Sequence, residues 1–96
     1  PLEYKKVDPE EKKINNTNNP PKFIVEFFDT QKNLQNINCY SNEGGNWKKS
    51  NIKLTNNILS VKFRDSFNSR RGRINCSLND NGKWRWFGVQ FIIRPN

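Results

Sequence analysis

Histidine is missing from this 96-residue chain. Without an imidazole, the commonest general base and metal ligand is gone, and Ser-His-Asp and Cys-His catalysis are excluded outright. Cysteine occurs only twice, and two sulfurs without histidine fall short of a zinc site. Long apolar runs are missing as well: no stretch approaches the ~20 apolar residues that span a bilayer as a helix. Hydrophobic residues make up only 32% of the chain, and asparagine and lysine fill the shortfall. A·T-rich codon usage accounts for such a bias without reference to function. The apolar residues that are present fall in short clusters, the mark of a folded chain rather than a disordered one. At this length the sequence holds one domain at most, with a small core.

Acidic residues are outnumbered, 9 against 17 basic, for a formal net charge of +8. Such a field favours polyanions: nucleic acid, anionic lipid or the acidic glycans of a cell envelope. A soluble domain that is merely basic is the plainer alternative. The first residue is Pro1 rather than Met, and no apolar leader precedes the charged opening. The expectation is therefore a processed product or a fragment of a longer parent.

Residues 1–21 read as a flexible linker. Tyr4-Lys5-Lys6-Val7-Asp8-Pro9-Glu10-Glu11-Lys12-Lys13 is densely charged, and Asn15-Asn16-Thr17-Asn18-Asn19-Pro20-Pro21 is polar and ends in a helix-breaking pair. Asp8-Pro9 has the form of a helix start reaching Lys13, but the segment has no broad apolar face. Residues 22–96 form the domain. There the period is two: Phe23, Val25 and Phe27 alternate with Ile24, Glu26 and Phe28, apolar on both faces. Ile37-Asn38-Cys39-Tyr40, the Asn42–Asn46 loop and Trp47 follow. Ile52 and Leu54 mark another strand, which Asn56-Asn57 turns into the next. That one, with Leu59, Val61 and Phe63 facing in and Ser60, Lys62 and Arg64 facing out, has the cleanest alternation in the chain. After a polar, basic loop from Asp65 to Gly72, two terminal strands are joined by Asn79-Asp80-Asn81-Gly82.

Six to seven short strands without a convincing helix predict an all-β, immunoglobulin-like antiparallel sandwich, with a small barrel as the alternative. Cys39 and Cys76 each share a strand face with an isoleucine two positions earlier, so both thiols are expected inside. A bridge between them would close a loop of about 38 residues, worth roughly 4 kcal/mol on the chain-entropy model. It would staple the two sheets together and imply an oxidising compartment; two reduced, buried thiols are the alternative. Ile74 stands where a tyrosine corner would place tyrosine, and Trp47 follows Cys39 by only eight positions, so the expectation is a sandwich of immunoglobulin type rather than a true immunoglobulin domain.

Chemistry has few places to reside. Glu26, Asp29, Asp65 and Asp80 are the carboxylates nearest the strands, and no constellation unites them, so the domain is expected to be no enzyme and to need no cofactor. Asn79-Asp80-Asn81-Gly82 has the look of a calcium loop but supplies one carboxylate where several are needed. A hairpin turn with Asn81 and Gly82 at positive φ is the better reading. Two glycosylation sequons, Asn15-Asn16-Thr17 and Asn75-Cys76-Ser77, carry little weight in an Asn-rich chain.

The run Trp84-Arg85-Trp86-Phe87 turns on register. In an unbroken strand Phe87, Val89, Phe91 and Ile93 share the core face, and Trp84 and Trp86 stand outside beside Arg73, Asn75 and Gln90. Such a surface suits sugars, bases or a partner's aromatic anchor. A β-bulge at Gly88 would reverse this, burying both tryptophans and turning Phe87 out. The cations Arg64, Arg70, Arg71, Arg73, Lys83 and Arg85 are expected near one end and edge of the same hairpin, either as an anion site or as a solvated basic loop.

The string Arg71-Gly72-Arg73-Ile74-Asn75-Cys76-Ser77, with Gly82-Lys83-Trp84-Arg85-Trp86-Phe87-Gly88, Gln90-Phe91 and Ile37-Asn38-Cys39-Tyr40, resembles the non-catalytic β-domain appended to some bacterial polysaccharide deacetylase-like proteins. The resemblance covers about 60 residues by position. It implies an exported envelope protein, secreted or periplasmic, whose sandwich positions a catalytic domain on a glycan; the metal ligands of such a deacetylase have no counterpart here. A deacetylated amino-sugar polymer is cationic and would be repelled by a +8 domain, so neutral or acidic glycans are the better ligands. The expected binding residues are Trp84 and Trp86 for stacking, Arg73 and Arg85 for anionic or hydroxyl groups, and Trp47 as an extension. A protein-interaction domain of an envelope assembly is the second expectation, and single-stranded nucleic-acid binding, disfavoured by an intact disulfide, the third.

Overall fold

The computed structural model of the protein describes residues 4–8, 19–28, 34–68 and 70–93. These residues form eight strands: β1 (Tyr4–Asp8), β2 (Phe23–Phe27), β3 (Leu34–Ser41), β4 (Lys48–Lys49), β5 (Asn51–Thr55), β6 (Ile58–Lys62), β7 (Arg71–Asp80) and β8 (Lys83–Ile92). A short 3-10 turn, Glu43–Gly45, lies between β3 and β4. The strands pair antiparallel into two sheets, β1-β2-β6-β5 and β4-β3-β7-β8. In immunoglobulin lettering that order is ABED against C′CFG. The sandwich expected from the alternation is therefore formed, with eight strands rather than six to seven.

Alternation explains which residues fill it. Phe23, Val25 and Phe27 from β2 and Leu59 and Val61 from β6 meet Cys39, Ile74, Cys76, Leu78, Phe87, Val89 and Phe91 from the other sheet. Six of the seven phenylalanines are buried, and Phe28 alone is exposed. Their rings meet edge-on, the arrangement their quadrupoles favour: Phe27 on Phe87 at 6.1 Å between centroids, Phe63 on Phe67 at 5.1 Å, and Phe67 on Phe91 at 5.5 Å. Phe67 comes from the segment read as a polar loop and closes one end of the core.

Both hairpin turns next to β6 and β8 are set by asparagine in the left-handed region. Asn56 has φ 56°, and Asn81 and Gly82 have φ 52° and 89°. The Asn81-Gly82 pair is the expected two-residue turn. It is braced by the Asn79 side-chain oxygen, which accepts from the Gly82 amide at 2.7 Å.

Two expectations need correction. Residues 4–8, assigned to the linker, form β1, which pairs along β2 from Tyr4↔Phe27 to Asp8↔Ile24. An edge strand needs only one backbone neighbour, and Tyr4 adds a ring contact to Phe87 at 5.8 Å, so little apolar patterning is required. The Asp8-Pro9 helix start and the Asn15 sequon reach outside the described residues, beyond Asp8. The second correction concerns the disulfide. Cys39 and Cys76 are bonded, and neither is exposed, but they face each other across neighbouring strands β3 and β7 of one sheet. Their Cα atoms are 4.0 Å apart. Two opposed residues of an antiparallel pair already stand this close, whereas residues on facing sheets are separated by the ~10 Å core. The bridge thus locks one sheet, and the two sheets are joined by apolar packing, with polar ties from the β3–β4 turn to the segment after β6.

Replacing both cysteines by alanine should lower unfolding free energy by about 2–4 kcal/mol, measured by urea denaturation, with the β-sheet circular dichroism retained. Gly72 is a further test. A Cβ there would enter the Phe91 ring that lies over it, so Gly72→Ala should cost about 1–3 kcal/mol as an overpacked core. An unchanged urea midpoint would place the ring elsewhere.

Candidate ligand-binding face

The ladder between β7 and β8 runs without a register shift from Arg71↔Ile92 to Asp80↔Lys83. The bulge at Gly88 does not form. Phe87, Val89 and Phe91 therefore face the core, and the alternate positions Trp84, Trp86, Gly88 and Gln90 face out. Trp84 is 59% and Trp86 68% exposed.

The pairing carries the same outward rows across the sheet. Trp84 lies beside Asn79, and Trp86 beside Ser77 and then Asn38. Gly88 lies beside Asn75, then Tyr40, then Lys49, and Gln90 lies beside Arg73. At ~3.4 Å per residue, Trp84 to Gln90 spans about 20 Å, room for an extended oligomer rather than a single ring. Over Gly88 the surface sinks into a shallow concavity of roughly 460 Å³, bounded by Trp47, Arg73, Asn75 and Gln90. Gly88 belongs there for a steric reason: the Asn75 amide folds over it and occupies the place of a Cβ.

Trp47, half exposed, reaches this face from the β3–β4 connection, which is held at several points. Asn42 continues the ladder beyond β3: its amide donates to the Arg73 carbonyl, its side-chain oxygen accepts from the Arg73 amide at 2.8 Å, and its side-chain NH2 donates to the Arg71 carbonyl. Glu43 is buried, and one of its carboxylate oxygens accepts from the amides of Arg64 at 2.6 Å and Asp65 at 2.9 Å. Lys48 pairs with Asp65, and the buried Ser41 and Ser50 hydroxyls meet at 3.2 Å. Glu43 ties the turn carrying Trp47 to the segment after β6.

Four of the five expected binding residues thus share one face: Trp47, Arg73, Trp84 and Trp86. Arg85 does not. It takes the core-side parity of β8, and its Nε donates to Asp80 Oδ2 at 3.0 Å. The expected cation cluster also divides. Arg70, Arg71 and Arg73 sit at the start of β7, Lys83 and Arg85 lie in the turn half of the ten-pair ladder, and Arg64 follows β6.

Tyr40, Ser77, Asn79 and Lys49 belong to the face but were not singled out from sequence. Tyr40 was within reach, because placing Cys39 inside places Tyr40 outside. Nothing in the pattern marks Glu43 as a buried clamp, since its partners lie 21 and 22 positions away.

Three of the four carboxylates singled out from the sequence have cation partners. Glu26 pairs with Lys5 at 3.4 Å, Asp65 with Lys48 and Asp80 with Arg85; Asp29 lies outside the described residues. Among the described residues no group of three potential metal ligands converges, and no helix is long and apolar enough to cross a membrane. The outward face of β4-β3-β7-β8 carries aromatics, amides, a hydroxyl and cations, with no carboxylate among its described residues. Flat rings stack on apolar faces of a ligand, amides both donate and accept, and Arg73 adds a charged fork. The chain matches no family model, no curated protein and no solved structure.

All three indoles should be reached by acrylamide, giving a linear quenching plot and water-like emission; a protected fraction would contradict their placement. Glu43→Ala leaves two amides without their acceptor and should cost about 1–3 kcal/mol, read from the thermal or urea midpoint.

Proposed function

We propose that the domain is a non-catalytic glycan-binding module of an exported envelope protein. The observation that carries this reading is one sheet face on which Trp84, Trp86 and Tyr40 alternate with Asn38, Asn75, Asn79 and Gln90, bordered by Trp47 and with no carboxylate among its described residues. Trp84 and Trp86 stack on sugar rings, the amides meet hydroxyl groups, and Arg73 beside the Gly88 concavity meets an acidic substituent. Neutral or acidic chains suit a +8 protein; a cationic polymer does not. The buried disulfide favours an oxidising compartment, and the resemblance to the β-domain of polysaccharide deacetylase-like proteins supports a secreted or periplasmic setting in which a separate catalytic domain acts on the same polymer.

A second reading has its own observation. β8 is a ten-residue strand at the edge of its sheet, and a free edge of that length can add a strand from a protein partner. Binding of single-stranded nucleic acid ranks third, since it is served by aromatics and cations but disfavoured by the disulfide.

An NMR titration of the indole N–H signals with neutral and acidic envelope oligosaccharides separates the three. Under the glycan reading Trp84 and Trp86 shift selectively and keep doing so at raised salt. Trp86→Ala weakens binding about tenfold, equivalent to about 1.4 kcal/mol, and Arg73→Gln weakens binding of acidic oligosaccharides only. Affinity for oligonucleotides that falls steeply with salt would instead support the nucleic-acid reading. Silent indoles with shifted β8 backbone amides in the presence of a protein partner would support strand addition.

A further inference from the structure

The opposite face of the sandwich has a different chemistry. On the outer side of β1-β2-β6-β5, Ile24 pairs with Ser60 and Ser60 with Lys53, and one row on Lys62 pairs with Asn51. The β2–β6 ladder ends at Phe23↔Val61, and Lys22 and Lys62 are the next residues beyond it on the two segments, near each other across its end. Lys22, Lys53 and Lys62 are exposed. They border a trough of roughly 560 Å³ whose apolar wall includes Pro20, Pro21 and Ile24 and whose floor includes Ser60.

Among the described residues no carboxylate lines this trough, and none of the three lysines takes part in an ion pair. The acidic residues of these four strands, Asp8 opposite Ile24 and Glu26 bonded to Lys5, lie toward β1. Like charges held near each other across a ladder repel. Three ammoniums around an uncharged floor outnumber the one carboxylate on the same row, Asp8 across from Ile24, and leave a net positive potential. An anion between them relieves both.

We propose that this trough binds the phosphate headgroup of an anionic lipid, with Pro20 and Ile24 against the glycerol and first acyl carbons. The charge requires an anion, and the apolar wall selects an amphiphile, because a bare inorganic anion gains nothing from it. Lysine suits that place, its stem lying along apolar surface while its head stays hydrated. The two outer faces of a sandwich point in opposite directions. One sheet therefore rests on an anionic membrane surface, and the aromatic sheet is presented away from it. This site is separate from the glycan face and stands or falls independently of it.

The test is co-sedimentation of the 96-residue protein with phosphatidylcholine vesicles, with and without phosphatidylglycerol. Binding is expected only with the anionic lipid. The Lys22→Gln/Lys62→Gln variant should partition about thirtyfold more weakly, about fivefold per lysine. A charge-matched variant outside the trough, Arg70→Gln/Lys83→Gln, should keep most of the binding. Lys62→Gln should melt no lower than the parent protein, because it removes a like-charge pair, so lost binding cannot be ascribed to misfolding. The proposal is overturned if the two double variants lose binding equally, if neither vesicle binds, or if inorganic phosphate shifts the Ser60 and Ile24 amides as strongly as the lipid does.

Discussion

The β7–β8 ladder is the constraint on which the rest of the molecule depends. Its register is set at one end by Asn81 and Gly82 in the left-handed region, and it continues without a shift for ten pairs. Side chains in a strand alternate strictly, so a slip of one residue would move every one of them to the other face. That slip would expose Phe87, Val89 and Phe91 and bury two indoles together with a glutamine. The core and the candidate binding face are therefore two sides of one choice, and the apolar payload of the phenylalanines makes it.

Around that ladder the domain is held in two different ways. Within the sheet, the Cys39–Cys76 bridge joins β3 to β7 at the middle of their pairing. Between the sheets, edge-on phenylalanine contacts provide the cohesion. A chain with so little apolar content benefits from both, since a small core alone leaves little margin. The loops are tied down by polar groups instead: Asn42 extends the β3–β7 ladder by side-chain mimicry, and the buried Glu43 carboxylate takes two amides from the segment after β6. These ties place Trp47 against the same face as Trp84 and Trp86.

Charge is divided by the fold rather than spread evenly. The face of β4-β3-β7-β8 combines aromatics and amides with a few cations, and the trough on β2, β6 and β5 gathers three lysines beside an apolar wall. Glu26, Asp65 and Asp80 sit in local ion pairs, and Glu43 is buried against backbone amides. A net charge of +8 thus becomes two surfaces of distinct chemistry, one suited to stacking on rings and the other to anions.

Much of this was legible in the chain. Period-two alternation marked β2, β6, β7 and β8 and their core residues, and Asn81-Gly82 identified the turn, because strand geometry and positive φ are local properties of a few residues. Burial of both cysteines followed from their spacing to isoleucine. Strand partners were not legible. Alternation says which residues face in, but not which strand lies alongside, and so the disulfide was expected between sheets and proved to lie within one. For the same reason Arg85 was grouped with Arg73, although the ladder puts them at opposite ends of the hairpin and on opposite faces. β1 was hidden because an edge strand draws its stability from a neighbour's backbone, and Glu43 because its partners are remote in sequence. The sequence by itself determined the strands, the turn and the inward set, all products of short-range geometry. Tertiary structure alone decided the pairing order, and with it which exposed side chains became neighbours on one face.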